Sequence, residues 1–363
     1  MTTPARPLVV RFGALGDMVV LTVAIRLLHR RYGVPVDVLS SGAWTRPLLA
    51  GQSGVGTIYL LRRRSSPFWV CPRQWRVLWA LRRRGAGPAW LFDVDNRKAS
   101  WLLQCAGWQP QQLLMAEDMP HISGEAFCDR WRRFALLGPT PDGTSMMANP
   151  AEVEAEAVPS LQVSAQSRAE LRAYLQRRGL IDRRLILVQT GNKRTMRRGS
   201  RRRRSNTKYW PEAHWAAVVQ ALRALHPGHA LVLLGVRQEA ALNAEILSLA
   251  CITNAYNLAG EVPVPQLLAL AERAFAMMSV DTGPAHVAAA VGCPVLVLYD
   301  RPSMQRIYAP RARGAPVLYL TGGTDEAPSL MGITPEQAVE AWQELVEHRE
   351  RVRNPADGAC GPV

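Results

Sequence analysis

An α/β fold in two halves, each with its own parallel sheet, is predicted by three observations. Short apolar runs alternate with helical patterns from Leu8 to Val94, the alternation lapses over Gly138 to Gln166, and it resumes from Ser167 to Tyr299. The lapse is rich in proline and acidic residues and poor in apolar anchors, which suits a connection between domains. A chain of 363 residues is long enough for two cores of ordinary size.

In the first half, Leu8 to Phe12 is a short apolar strand, followed by a glycine turn and a helix from Asp17 to Tyr32. A strand from Pro35 to Leu39, a turn at Ser40-Ser41-Gly42, a helix near Trp44 to Leu49 and a strand from Gly56 to Leu60 come next. A helix from Arg73 to Arg84 and a strand from Trp90 to Val94 follow. Alternation of this kind implies a parallel sheet covered on both faces, with ligands outside the carboxyl ends of its strands. The helix from Arg73 to Arg84 carries Trp75 and Trp79 one turn apart and ends in three arginines, the form of an interfacial basic segment. Packing of both tryptophans on the sheet is the expectation, since a large aromatic ordinarily fills a core.

In the second half, an amphipathic helix over Ser167 to Arg178 and a strand over Leu185 to Gln189 precede a helix over Trp210 to Leu225. A strand over Ala230 to Leu234, a helix over Gln238 to Ala250, a short strand near Tyr256 and a helix over Pro263 to Arg273 come next. Strands over Ala274 to Val280 and Val295 to Tyr299 complete the sheet. A late helix spans Pro335 to Arg349, and Asn354 to Val363 reads as a disordered tail.

Two strand, turn and helix junctions carry chemistry. In Asp281-Thr282-Gly283-Pro284-Ala285-His286, glycine permits close approach of a ligand, threonine offers a hydroxyl, and proline opens a helix whose first N–H groups are free. A diphosphate fits such a turn; an ordinary capped helix over a satisfied histidine is the plainer reading of the segment alone. In Gly13-Ala14-Leu15-Gly16-Asp17, a carboxylate stands at a helix N-terminus, which favours its ionised form and suits it to act as a base or merely to cap. The third glycine of a dinucleotide fingerprint is missing there, which argues against a nicotinamide site.

Taken together, Arg11-Phe12-Gly13-Ala14-Leu15-Gly16-Asp17 and the run from Asp281 to Pro294 resemble the opening and closing motifs of glycosyltransferase family 9, the bacterial lipopolysaccharide heptosyltransferases. Between them, Gln189-Thr190-Gly191 and Lys208-Tyr209-Trp210-Pro211 resemble the family's phosphate-side loop. The resemblance implies a glycosyltransferase type B fold, in which two Rossmann-like domains face each other across a cleft. Their expected spans are 1–160 on the acceptor side and 161–334 on the nucleotide-sugar side, with a helix at 335–351 crossing back and a tail at 352–363. It implies inverting, metal-independent transfer without a cofactor, from a nucleotide-diphosphate sugar, ADP-heptose being commonest, to a hydroxyl of an anionic lipopolysaccharide core.

Position by position, Asp17 resembles the general base, with Gly13 and Gly16 on the acceptor side. Thr190, Gly191 and Lys208 resemble donor phosphate contacts; Asp281, Thr282, Gly283 and His286 resemble the donor-binding turn; and Glu239 matches a nucleoside contact by position. Gly13 stands where the family often has serine, and Val23 where proline is common. An arginine-rich insertion over Asn192 to Asn206 brings Lys193 into competition with Lys208, which is preferred because it leads directly into a helix. Transfer to a protein hydroxyl, and a binding protein without chemistry, are the alternatives.

The formal charge of +15 rests on arginine, a residue that grips phosphates and carboxylates with two N–H groups, so an acidic partner is expected. The arginine run lacks the interleaved aromatics of a nucleic-acid surface; a phosphorylated glycolipid at an anionic membrane explains the same charge, and a solvated loop is the plainer alternative. Six scattered cysteines form no metal or disulfide pattern, and the N-terminus lacks a secretory segment. A cytoplasmic protein, peripheral at the inner membrane, is the resulting expectation.

Overall fold

The computed structural model describes residues 6–61, 71–138, 158–192 and 205–353. The arginine-rich stretch, with Lys193, and the tail from residue 354 lie outside them. The chain forms two compact units, Met1–Gln162 and Val163–Val363, so the division falls two residues beyond the one expected.

In the first unit, β1 (Leu8–Val10), β2 (Val36–Ser40), β3 (Val55–Leu60), β4 (Ala89–Leu91) and β5 (Leu113–Met115) form a sheet of order β3-β2-β1-β4-β5. Every pairing is parallel, and β1 at the centre is fully buried, as its uninterrupted Leu-Val-Val requires. The crossovers are α1 (Leu15–Tyr32), α2 (Thr45–Leu49), α3 (Pro72–Arg84) and α4 (Arg97–Cys105), with α5 (Phe127–Leu136) after β5. Helix α1 ends where Gly33 takes a left-handed conformation (φ 64°) and returns its N–H to the His29 carbonyl at 2.8 Å. Helix α5 packs on α1 and turns Cys128, Trp131, Phe134 and Ala135 inward, with its arginines half-buried around that face.

Trp75 and Trp79 do not pack on the sheet as expected; they are 45% and 56% exposed. Helix α3 instead buries Gln74, Leu78 and Leu81, whose spacing of four and three residues defines the inward face. The tryptophans stand one residue further round and face out.

In the second unit, β6 (Arg184–Gln189), β7 (His229–Leu234), β8 (Ala255–Asn257), β9 (Ala276–Val280), β10 (Val295–Tyr299) and β11 (Val317–Thr321) form a parallel sheet of order β11-β10-β9-β6-β7-β8. Around it lie α6 (Ala165–Arg177), α7 (Glu212–Leu225), α8 (Ala240–Ala250), α9 (Val264–Arg273), α10 (Gly283–Ala290), α11 (Pro302–Tyr308) and α12 (Pro335–Arg353). Ser164 caps α6 by accepting from the Ser167 N–H at 3.0 Å. The late helix, expected to cross back, packs on α7, β10 and β11 of its own unit, where Ala338, Trp342 and Leu345 are fully buried. Burying an aromatic side chain of this size contributes roughly 2–3 kcal/mol. Elements α4, β5, α5, α11 and β11 add to those expected from the sequence.

Candidate functional site

Each sheet has one place where the strand order reverses, and the candidate residues gather at the carboxyl ends there. In the first unit the reversal lies between β1 and β4. Arg11, just past β1, is buried and donates to the Phe92 carbonyl (2.7 Å), to Asp93 Oδ1 (3.1 Å) and to Asp17 Oδ1 (3.0 Å). Its guanidinium also lies 5.5 Å from the centre of the Trp131 ring. Asp17 Oδ2 accepts from the Ala14 N–H at 2.6 Å, so the carboxylate closes the first turn of α1 as well as pairing with Arg11. Its side chain is 25% exposed, enough to meet a ligand. A Cβ on Gly13 would stand 2.4 Å from Asp17 Cβ, so a larger residue here would oblige Asp17 or the turn to shift. Gly16 is buried within α1.

The sequence reading missed Asp93, a buried carboxylate that accepts from Arg11 and from the Phe12 N–H (3.2 Å to Oδ2). The signal was present: an acid at the end of an apolar strand in a parallel sheet.

In the second unit the reversal lies between β6 and β9, with Gln189 opposite Ser279 in the register. The turns Gln189-Thr190-Gly191 and Asp281-Thr282-Gly283 therefore leave neighbouring strand ends at one level. Lys208, 73 positions before Asp281, pairs its Nζ with Asp281 Oδ2 there. Both side chains are mostly buried, at 22% and 9% exposure. Thr282 makes no side-chain cap to α10; its hydroxyl meets Ser279 Oγ at 3.1 Å. Gly283 opens α10, and His286 is buried one turn in.

Thr190 is buried and donates to Asn243 Oδ1 at 2.7 Å, which orders the turn from within. Glu239 joins the same group: its Oε2 accepts from the Val236 N–H (2.8 Å) and from Gln189 Nε2 (3.4 Å). Burial raises its carboxyl above the ordinary range, against the lowering effect of those two bonds. Glu239 Oε1 and Gln189 Oε1 are buried and have no hydrogen-bond partner. Cβ atoms on Gly191 and Gly235 would approach the Glu239 oxygens to 2.4 and 2.6 Å, so the two glycines make room for the carboxylate.

Asn243 and Asp300 were also missed in the sequence. Asp300, fully buried at the end of β10, accepts from the Thr207 hydroxyl at 2.5 Å, and the Thr207 carbonyl accepts from the Leu330 N–H at 3.1 Å. These bonds fix the backbone that presents Lys208. Lys193, its competitor, lies outside the described residues.

Residues 142–321 match glycosyltransferase family 9 (heptosyltransferase). Lipopolysaccharide heptosyltransferase 2 of Salmonella typhimurium is 31% identical over 152 residues, 38% of this chain and 43% of that protein; the chain thus aligns with less than half of this relative's length. A solved structure of Escherichia coli ADP-heptose lipopolysaccharide heptosyltransferase II is similar over 95% of this chain and 99% of that one, with a TM-score of 0.69 at 23% identity. Escherichia coli heptosyltransferase WaaC with ADP-2-deoxy-2-fluoro heptose covers 93% and 99%, with a TM-score of 0.61 at 14% identity. These likenesses show the fold, that of type B glycosyltransferases with two parallel-sheet units.

Proposed function

We propose that this chain, whose residues 142–321 match glycosyltransferase family 9, transfers a heptose from ADP-heptose to a hydroxyl of a lipopolysaccharide core, with inversion and without a metal. The observation that carries the reading is the meeting of Lys208 and Asp281 beside the Thr190 turn, at the strand reversal of the unit that holds most of the family match. A cation held beside a helix N-terminus offers a diphosphate two sources of positive potential. Asp281, itself an anion, serves this site by holding Lys208 in place. Thr190 sets the turn through Asn243, and Glu239 accepts from a nucleoside hydroxyl.

Asp17 is the proposed base. Arg11 and the Ala14 N–H hold one oxygen each, yet a carboxylate oxygen has a second lone pair, so either can take the proton of the acceptor hydroxyl as the hydroxyl oxygen attacks the anomeric carbon and the nucleoside diphosphate leaves. The departing nucleoside diphosphate gathers charge, which Lys208 and the first N–H groups of α10 stabilise. An anionic glycolipid acceptor places the enzyme at the cytoplasmic face of the inner membrane.

Thermal-shift screening against ADP-, GDP-, UDP- and dTDP-sugars, followed by transfer to a heptose-deficient core acceptor, tests the reading. Selective stabilisation by ADP-heptose and formation of a heptosylated product are expected. Absence of both donor binding and product would overturn it.

A further inference from the structure

Between Asp37 and Asp93 the sequence contains no aspartate or glutamate, and it contains nine arginines. Helix α3 lies in this stretch. Its outward face carries Trp75, Trp79 and Arg83 at successive turns, with exposed Arg76 and Arg82 beside them. The Arg83 guanidinium sits 5.0 Å from the centre of the Trp79 ring. Helix α4 packs on α3, tied by the bond from Arg82 Nε to the Cys105 carbonyl (3.0 Å), and adds Trp101, 47% exposed, and exposed Lys98.

Tryptophan is among the residues most buried on average, so three half-exposed indoles on two adjoining helices are not explained by the core of this unit. The inward face of α3 is already satisfied by Gln74, Leu78 and Leu81. Indole rings among cations, with no acid on either helix, match the chemistry of an anionic bilayer surface, where rings settle at headgroup depth and arginines meet phosphates. A second copy of the chain would set arginines against arginines with no carboxylate on α3 to offset them. Single-stranded nucleic acid is bound along a basic groove with interleaved rings, whereas these rings stand on the outer faces of two helices.

We propose that the outer face of α3 and α4 docks the protein on an anionic lipid bilayer, with Trp75, Trp79 and Trp101 in the headgroup layer and Arg76, Arg82 and Arg83 on lipid phosphates. The proposal deepens the membrane location given above by naming the surface, and it stands on the exposure and charge of these helices.

The test is sedimentation of the full chain with vesicles of phosphatidylcholine, with and without phosphatidylglycerol, over a range of salt. Binding to the anionic vesicles alone, weakened by salt, is expected. The pair Trp75→Ala and Trp79→Ala, and separately Arg76→Gln with Arg83→Gln, should each lower partitioning by about ten-fold while leaving the thermal midpoint unchanged. Unchanged partitioning in both variants, or tight binding of an oligonucleotide that the same substitutions abolish while vesicles go unbound, would overturn the proposal. ADP-heptose binding measured on the same samples is independent of this face. Its loss in the wild-type chain would count against the transferase reading and leave the lipid result standing.

Discussion

The turn after β1 and the turn after β9 share one backbone device and put it to opposite chemical use. Both carry the chain from a buried strand beside a sheet reversal into the start of a helix. In α1 the chain's own carboxylate occupies that start, Asp17 accepting from the Ala14 N–H and from Arg11. In α10 no side chain caps the helix; Thr282 turns to Ser279, and the nearby carboxylate, Asp281, holds a lysine. A helix N-terminus attracts anions in either case. In the proposed reaction, whether it serves as a proton acceptor or a phosphate seat follows from whether an internal acid has already taken the place.

The largest test of this contrast is Asp17→Asn, whose Oδ1 can keep the bond from the Ala14 N–H while its amide removes the proposed base and gives up the Arg11 pair. Transfer should fall by about 10²- to 10⁴-fold with donor affinity nearly unchanged. Initial rates beside calorimetric donor titration check this, and a variant that loses donor binding in step with rate would erase the distinction between the two turns. The reciprocal change, Lys208→Ala, should weaken ADP-heptose binding by about 10- to 100-fold, the range of a hydrogen bond to a charged group. Asp281→Asn should weaken it less, because the lysine keeps its charge and loses only its anchor.

Next in size is Gly191→Ala. The added methyl would lie 2.4 Å from Glu239 Oε1, so the unfolding free energy should drop by about 1–3 kcal/mol. Combining it with Glu239→Ala should recover part of the loss, a non-additivity that a denaturant series reads directly.

The smallest effect separates the units by their response to acid. His229, on β7, packs against His226 and Phe275, and burial, then His226, Arg184 and Arg349, lower its pKa from 6.5 to about 4. His226 is lowered too, chiefly by burial and against the raising effect of Glu350, and its Nε2 accepts from Trp342 Nε1 at 2.9 Å. The folded protein resists a proton that the unfolded chain accepts, so stability held above pH 6.5 should decline as pH falls toward about 4. Thermal midpoints across that window should be flatter in His229→Phe.

Much of this contrast was legible in the sequence because it is local. Asp17 and the Asp281 turn each sit in a few consecutive residues between an apolar strand and a helix, and period and glycine placement identify them. Lys208 was preferred from its lead into α7, and the fold brings it to Asp281. Asp93, Asn243 and Asp300 stayed hidden because their partners are remote: Arg11 is 82 positions from Asp93, and Thr190 is 53 from Asn243. Only strand order makes them neighbours. The direction of Trp75 and Trp79 was hidden for another reason. A spacing of four describes both faces of a helix equally, and the inward set of Gln74, Leu78 and Leu81 includes a polar residue that does not advertise itself as core.

The anchoring of Lys208 bears on how the protein can be divided. Its backbone is tied through Thr207 to Asp300 and Leu330, and Trp210 Nε1 donates to the Ile333 carbonyl at 3.0 Å. Leu330, Ile333 and Trp342 all lie beyond residue 321, where the family match stops, yet they belong to the same core cluster. An excised fragment ending at residue 321 would keep Thr190, Lys208 and the Asp281 turn and forfeit the struts beneath them. The smallest fragment that keeps the core of the second unit is therefore longer than the family match, and runs through α12.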